Sequence, residues 1–356
     1  MILHLSDPVY DVDFSNTLHY HFHMTTSPTG ISNRLTHVDA LRGLAGLAVC
    51  LFHFTRHIPG FPPNGSILKT ACQYGYLGVE IFFVISGFII PFALFRSQYR
   101  IAHFHLFLAK RVMRIDPPYL ITAALSILLF SVSACFNGTS YPVSIPALVA
   151  HIGYLNGVLK LPWAVPIFWT LAIEFQYYLF IAVCFPVFTL KNKKIPIAFC
   201  LVFLLAGLLT SYSALMLYYS PLFACGFLCY LKKQGKIDNT LTILLLSLTF
   251  LSVHHKLGIE SALACALACL LILFLRTNTH SAMNFLGRIS YSLYLLHIPV
   301  GTRVMNLLFR IPFFLSHEYL ALWLSVIVTI LSAWGFYCLI ERPSITLSQK
   351  IVYNRP

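Results

Sequence analysis

The stretch Ile195-Pro-Ile-Ala-Phe-Cys-Leu-Val-Phe-Leu-Leu-Ala-Gly-Leu-Leu209 carries no charged side chain, and Leu263–Leu275 is equally apolar. The whole chain of 356 residues is 58% hydrophobic and only 10% charged, whereas about 25% of the residues of a soluble domain are charged. A bilayer core of roughly 30 Å is crossed by about 20 mostly apolar residues. The runs lack the alternation of a β-barrel, and helices satisfy their own backbone hydrogen bonds in lipid. The sequence therefore predicts an all-α, polytopic transmembrane helix bundle.

Apolar segments of this kind recur along the chain, and we predict about ten transmembrane helices. Their predicted spans are 38–57, 75–95, 117–135, 167–190, 195–212, 214–231, 239–254, 259–275, 285–308 and 318–340. No internal repeat is visible. We therefore predict one transmembrane domain at 37–343, between a flexible N-terminal tail at 1–36 and a cytoplasmic C-terminal tail at 344–356.

The distribution of basic residues predicts the orientation of the bundle. The chain has 24 Lys and Arg against 11 Asp and Glu, and most lie in alternate loops, as the positive-inside rule requires. We therefore expect a multi-pass protein of the inner (cytoplasmic) cell membrane with both termini in the cytoplasm. Orientation explains the basic excess, and without a nucleic-acid-binding motif we expect no nucleic acid among the partners. The predicted cytoplasmic cations are Arg96, Arg100, Lys110, Arg111, Arg114, Lys191, Lys193, Lys194, Lys232, Lys233, Lys236, Arg276, Arg342, Lys350 and Arg355.

The segment Ser97–Arg114 interleaves aromatic and aliphatic residues with basic ones. This pattern is typical of an amphipathic helix that lies on a membrane surface. We predict a short amphipathic helix on the cytoplasmic face. We also expect the chain to turn into the bilayer at Pro117–Pro118, because proline disfavours a continuing helix.

Ionisable side chains inside membrane spans are costly and usually functional. The predicted spans contain His53, Glu80, Glu174, His297 and Arg303. At a rise of about 1.5 Å per residue, the two histidines and two glutamates fall in the same middle-to-outer layer, as a shared polar cavity requires. Separate hydrogen bonds between helices are the alternative interpretation.

A histidine beside a carboxylate is suited to general base catalysis, because imidazole titrates near neutral pH. We select His53 as the base, with Glu80 or Glu174 as its partner. Asp39 lies fourteen residues earlier on the same predicted helix, roughly 21 Å away. It therefore cannot serve His53 unless that helix breaks.

Cations are concentrated where the predicted surface helix meets the next span, at Lys110, Arg111 and Arg114. Guanidinium groups bind phosphates in a bidentate manner, and Arg42 lies on the same predicted face. A positive-inside signal or contact with lipid headgroups is the alternative interpretation. The cysteines form no CxxC or zinc-type spacing, so we predict neither a metal site nor a bound cofactor.

Glycines in the first two spans allow helices to approach each other closely. Gly43 lies in the first span and Gly87 in the second. Gly87 alternatively leaves a gap for a substrate chain.

Five segments, taken together and in order, resemble the acyltransferase-3 family of integral membrane acyltransferases. The resemblance spans about residues 37–343. The segments are His37-Val-Asp-Ala-Leu-Arg-Gly-Leu-Ala45 with Phe52-His53, Gly78-Val-Glu-Ile-Phe-Phe-Val-Ile-Ser-Gly-Phe88, Lys110-Arg-Val-Met-Arg-Ile-Asp-Pro-Pro-Tyr119, Phe168-Trp-Thr-Leu-Ala-Ile-Glu-Phe-Gln-Tyr-Tyr178 and Gly287-Arg-Ile-Ser-Tyr-Ser-Leu-Tyr-Leu-Leu-His297.

The resemblance implies a ten-helix O-acyltransferase that uses cytoplasmic acyl-CoA, commonly acetyl-CoA, as co-substrate. It implies a carbohydrate or glycolipid acceptor, such as a polysaccharide or a lipopolysaccharide unit of the cell envelope. His53 matches the family's catalytic histidine, Arg111 and Arg114 match its donor-site arginines, and Glu174 matches its motif glutamate. Thr170 replaces the usual serine.

We therefore take His53, Glu80, Glu174 and His297 as candidate catalytic residues. Arg42, Lys110, Arg111 and Arg114 are the candidate donor-binding residues. A transporter or flippase of a glycan or small molecule is the alternative function, and it would move its cargo without acyl-CoA. A non-catalytic scaffold is the third possibility, but it has no need of buried histidines and glutamates at one depth.

Overall fold

The computed structural model describes residues 35–142, 144–190, 192–275 and 280–353. These residues contain α-helices joined by turns and loops and no strand, which confirms the predicted all-α fold. The α-helices are α1 Thr36–His57, α2 Ile67–Cys72, α3 Leu77–Arg96, α4 Phe104–Phe136, α5 Ile145–Ile152, α6 Trp169–Phe188, α7 Lys194–Leu209, α8 Ser220–Lys233, α9 Asn239–Leu257, α10 Ile259–Phe274, α11 Ser281–Leu296, α12 Arg303–Leu308, α13 Pro312–Leu315, α14 Glu318–Phe336 and α15 Arg342–Gln349.

Five short segments deviate from α geometry. Ile101–His103, Pro166–Phe168 and Met216–Tyr219 are 3₁₀ turns. His297–Thr302 and Tyr337–Glu341 are π turns. Each π turn follows a long helix without a break, so α11 continues into α12 and α14 continues into α15.

Six helical segments are long and apolar enough to cross a membrane, and α7 and α10 are shorter apolar helices. The chain is thus an integral membrane protein, although ten crossings and the position of both termini stay predictions. Each predicted span falls on a helix. Most of the predicted N-terminal tail, Lys191, Arg276 and residues 354–356 lie outside the described residues. The six segments are Thr36–His57, Ile67–Arg96, Ile101–Phe136, Pro166–Phe188, Asn239–Leu257 and Glu318–Gln349.

The predicted surface segment is helical, but it does not form a separate helix. It runs directly into α4, which continues through Pro117 and Pro118 to Phe136. The predicted turn at the two prolines is therefore wrong. Prolines leave carbonyl groups of the preceding turn without their helical N–H partner, and side chains of neighbouring helices compensate for this in membrane proteins. At Pro117 and Pro118 these are the carbonyls of Met113 and Arg114. Tyr291 Oη of α11 donates to the next carbonyl, that of Ile115, at 2.9 Å.

Glycines bring two pairs of helices into backbone contact. Gly43 of α1 lies against Gly287 of α11, and Gly87 of α3 lies against α8 at Phe223 and Gly226. A Cβ atom at any of these glycines would collide with the backbone of the neighbouring helix. The contacts therefore favour the packing role of Gly87 over a gap for substrate. They also place α1 against α11, which leads directly into the π turn that begins at His297.

Candidate active site

Two histidines of the predicted polar layer lie side by side. His53 is near the end of α1, and His297 is the first residue of the π turn that follows α11. Their ring centroids are 5.1 Å apart. His297 is fully buried, whereas His53 is half-buried. The close contact between α1 and α11 therefore brings together residues that are far apart in the sequence.

The hydrogen bonding of His297 defines its tautomer. Its Nδ1 lies 2.6 Å from the carbonyl oxygen of Tyr294. Because a carbonyl only accepts hydrogen bonds, Nδ1 carries the proton, and Nε2 of the neutral ring has a free lone pair. Nε2 is buried and has no hydrogen-bond partner among the described residues. His297 thus presents an unused acceptor in the interior, next to His53.

The two glutamates of the layer are engaged elsewhere. Glu174 of α6 accepts hydrogen bonds from Ser86 Oγ of α3 at 2.9 Å and from Tyr178 Oη at 2.6 Å. Glu80 of α3 accepts from Ser261 Oγ of α10 at 2.9 Å. Oε2 of Glu80 is buried and has no hydrogen-bond partner among the described residues. Neither glutamate is hydrogen-bonded to His53 there, and the imidazole of His297 is the ionisable ring beside it.

A line of polar side chains begins at the histidine pair. The ring of Tyr294 lies 5.5 Å from that of His297. Tyr294 Oη and Thr170 Oγ1 are hydrogen-bonded at 2.7 Å, which connects α11 to α6. The Thr170 hydroxyl also lies 2.9 Å from the carbonyl oxygen of Ile167, to which it donates.

The line continues along one face of α6. Thr170, Glu174 and Tyr178 are spaced four residues apart, so they follow one another over roughly 12 Å. At the end of this face, the guanidinium of Arg111 lies 5.2 Å from the ring of Tyr178. Polar and aromatic side chains thus connect the histidine pair to the cationic cluster predicted to bind the acyl donor.

Three arginines converge at this end of the bundle. Arg111 is held between the rings of Phe107 and Tyr178, at 5.1 and 5.2 Å. The positive charges of Arg42 and Arg111 both act on Arg114. Lys110 Nζ donates to the carbonyl of Ile351 at 3.5 Å.

Glu341 is a site residue that the sequence analysis missed. It is buried, and its Oε2 accepts hydrogen bonds from Ser292 Oγ at 2.5 Å and Ser292 N at 3.2 Å. The charges of Arg114 and Arg42 act on its carboxylate. The last predicted span ends at residue 340, so Glu341 was not considered as a residue within a span. The signal available was a lone acidic residue directly after a long apolar run.

A second network, also missed, ties the segment between α4 and α6 to the bundle. Tyr154 Oη donates to Asp116 Oδ1 at 2.8 Å, and Tyr119 Oη is 2.6 Å from His151 Nδ1. The amide N–H of Ala164 donates to His151 Nε2 at 3.0 Å. Burial lowers the pKa of His151, which agrees with a neutral ring accepting at Nε2. His151 had no sequence signal because it lies in a predicted loop.

An apolar cavity beside α1 does not add to this site. A cavity of about 650 Å³ lies between α1, α3 and α10, and its walls are aliphatic side chains such as Leu44, Ile81 and Leu267. It includes none of the candidate site residues. In the described ranges, no group of three His, Cys, Asp or Glu side chains is arranged to hold a metal ion.

A family model described as an acyltransferase domain matches residues 35–341. The match includes all five motif segments, the histidine pair and the converging arginines. No curated protein and no solved structure matches the chain significantly.

Proposed function

Since the chain belongs to the acyltransferase-3 family, we propose that this membrane acyltransferase transfers an acyl group from cytoplasmic acyl-CoA to a hydroxyl of a carbohydrate or cell-envelope glycan. Acetyl is the acyl group that the family resemblance favours. The observation that carries the proposal is the polar line from Arg111 along α6 to the pair of His53 and His297. It joins the cationic cluster to the half-buried imidazole of His53.

The arginines provide the donor site in this proposal. Acyl-CoA carries phosphates, and guanidinium groups bind them with paired charge-assisted hydrogen bonds. Arg111 is restrained by two aromatic rings, so it loses little freedom on binding. Arg42 and Arg114 add charge on the same side, and Lys110 supplies a point charge at the rim. The acyl arm then extends along α6 towards His53.

His53 acts as the general base. It takes the proton from the acceptor hydroxyl while the oxygen attacks the thioester carbonyl. The carbon–sulfur bond then breaks, and the leaving thiolate takes the proton from the His53 imidazolium to give free CoA. No acyl-enzyme is formed. His297 is a positioning residue, because its Nε2 lone pair can accept the second N–H of His53 and stabilise the charged ring.

The test is transfer of label from radioactive acetyl-CoA to envelope glycans, with full-length protein in native membranes. We expect His53→Ala to lose about 10²- to 10⁴-fold in rate, the usual contribution of a general base. His254→Ala is the matched control, because His254 is exposed at the end of α9. Equal labelling by the His53 variant and the control would remove His53 from the mechanism. Movement of a glycan without any dependence on acyl-CoA would favour the transporter alternative.

A further inference from the structure

A group of cations lies at the end of α1 that is distant from Arg42. It comprises Arg56 in the last turn of α1 and Arg303 at the start of α12, together with the imidazole of His57, which can donate a hydrogen bond. We call it the distal cationic cluster. Arg56 and His57 follow His53 on α1 by three and four residues, so both are its neighbours on the helix surface. His57 is hydrogen-bonded to Asn306 and lies within range of the Arg303 charge. The proposed base is therefore next to a second positive region, separate from the donor arginines.

Arg303 is held rigidly against α4. Its Nη1 donates to Ser133 Oγ at 2.8 Å, and its guanidinium lies 4.5 Å from the centre of the Phe130 ring. Both partners are neutral, and the guanidinium has five N–H donors, most of them still available. No carboxylate among the described residues pairs with Arg303, Arg56 or His57. A half-buried cation is normally paired, so an oriented but unpaired one indicates an anionic ligand.

The π turn links this arginine to the proposed active site. His297 is its first residue, and Arg303 follows its last residue, Thr302. π turns within α-helices occur frequently at functional sites, where they alter which way side chains face. One irregular segment thus directs His297 towards His53 and Arg303 towards α4.

We infer that the acceptor carries an anionic group, a carboxylate or a phosphate, which the distal cationic cluster binds while His53 reaches the acceptor hydroxyl. This inference rests on the proposed function and names its acceptor class. His53 and His57 are one helical turn apart, roughly 6 Å. The anionic group therefore belongs to the same sugar residue as the reacting hydroxyl or to its neighbour.

The test measures binding without any donor, so its outcome is independent of acyl transfer. Full-length protein in nanodiscs of zwitterionic lipid is dialysed against two matched pairs of radioactive saccharides. These are methyl glucuronoside with methyl glucoside, and glucose 6-phosphate with glucose. We expect the protein to bind the anionic member of at least one pair more tightly. No preference in either pair overturns the inference.

Variants then assign the preference to Arg303. We expect Arg303→Gln to weaken binding of the preferred anion by about ten- to hundredfold, the range of a charge-assisted hydrogen bond. Arg303→Lys keeps the charge but loses the forked pair of N–H donors, so its affinity for the anion should lie between those of the wild type and Arg303→Gln. Arg310→Gln is the matched control, because Arg310 is exposed after α12. An equal effect of Arg303→Gln and Arg310→Gln overturns the assignment.

Bilayer phosphates are the other possible source of the anion. Nanodiscs containing anionic lipid distinguish the two. If the cluster binds headgroups, anionic lipid will raise the thermal unfolding midpoint of the wild type but not that of Arg303→Gln, and neither saccharide pair will show a preference. That combination contradicts an anionic acceptor. If the cluster binds the acceptor, the saccharide preference persists in zwitterionic nanodiscs.

Discussion

Replacing Gly43 by alanine tests whether close packing of α1 and α11 positions the histidine pair. A methyl group at Gly43 would lie 2.6 Å from Gly287 N and 2.7 Å from the carbonyl carbon of Leu286. Non-bonded atoms prefer a separation of roughly 3.5 Å, so the two helices must part by about 1 Å. His53 and His297 lie on these two helices or their direct continuation, and they separate with them.

Two magnitudes follow from this displacement. Overpacking of a close contact costs about 1–3 kcal/mol of stability, which lowers the thermal unfolding midpoint. A shift of about 1 Å in a catalytic group costs about 10²-fold in rate. Gly43→Ala should therefore reduce acyl transfer much more than it reduces the amount of folded protein.

The assay compares labelled transfer and thermal unfolding of purified Gly43→Ala with those of Gly335→Ala. Gly335 lies in α14, and a methyl group there would enter open space. That control should retain wild-type transfer and be as stable as the wild type or slightly more so, because alanine favours a helix over glycine. Wild-type transfer and wild-type unfolding in Gly43→Ala would refute the reasoning.

Two further predictions concern the other end of the bundle. Tyr178→Ala should raise the KM for the acyl donor about fivefold or more, because it removes the cation–π contact with Arg111. Tyr178→Phe keeps the ring and should change this KM little. Steady-state kinetics with varied acyl-CoA measure both values, and equal KM values in the two variants would contradict a role for the contact. Ser292→Ala leaves the buried carboxylate of Glu341 without its hydroxyl donor and should cost about 1–3 kcal/mol in thermal unfolding. Ser325→Ala is the control, since the Ser325 hydroxyl bonds only within its own helix. An equal loss of stability in the Ser292 and Ser325 variants would argue against a special role for Glu341.

The positions of the helices could be predicted from the sequence, because hydropathy is a local sum over consecutive residues. Depth along a helix could be predicted for the same reason, so His53 and His297 were expected in one layer. The direction in which each side chain faces could not be predicted. It depends on how α1, α3, α6 and α11 are rotated against one another, and that rotation pairs His53 with His297.

Two other features of the structure, the unbroken α4 and the buried Glu341, differ from the sequence-based expectation because they involve contacts between distant segments. The chain was expected to turn at Pro117–Pro118 because proline breaks isolated helices. In the structure α4 continues through both prolines and packs in the bundle, where the hydroxyl of Tyr291, from a helix far along the sequence, bonds to the Ile115 carbonyl. The importance of Glu341 likewise depends on Ser292, Arg42 and Arg114, none of which is near it in the sequence.

The contact between Gly43 and Gly287 has a consequence for synthesis of the protein. The ribosome makes α1 first, and α11 follows after most of the chain has been translated. At about 5–20 residues per second, α1 waits roughly 10 to 50 s for its partner. During that interval the insertion machinery or lipid must cover its glycine face. His53 is made early, but it meets His297 only when nearly the entire bundle has entered the membrane, so a prematurely terminated chain cannot have a working site.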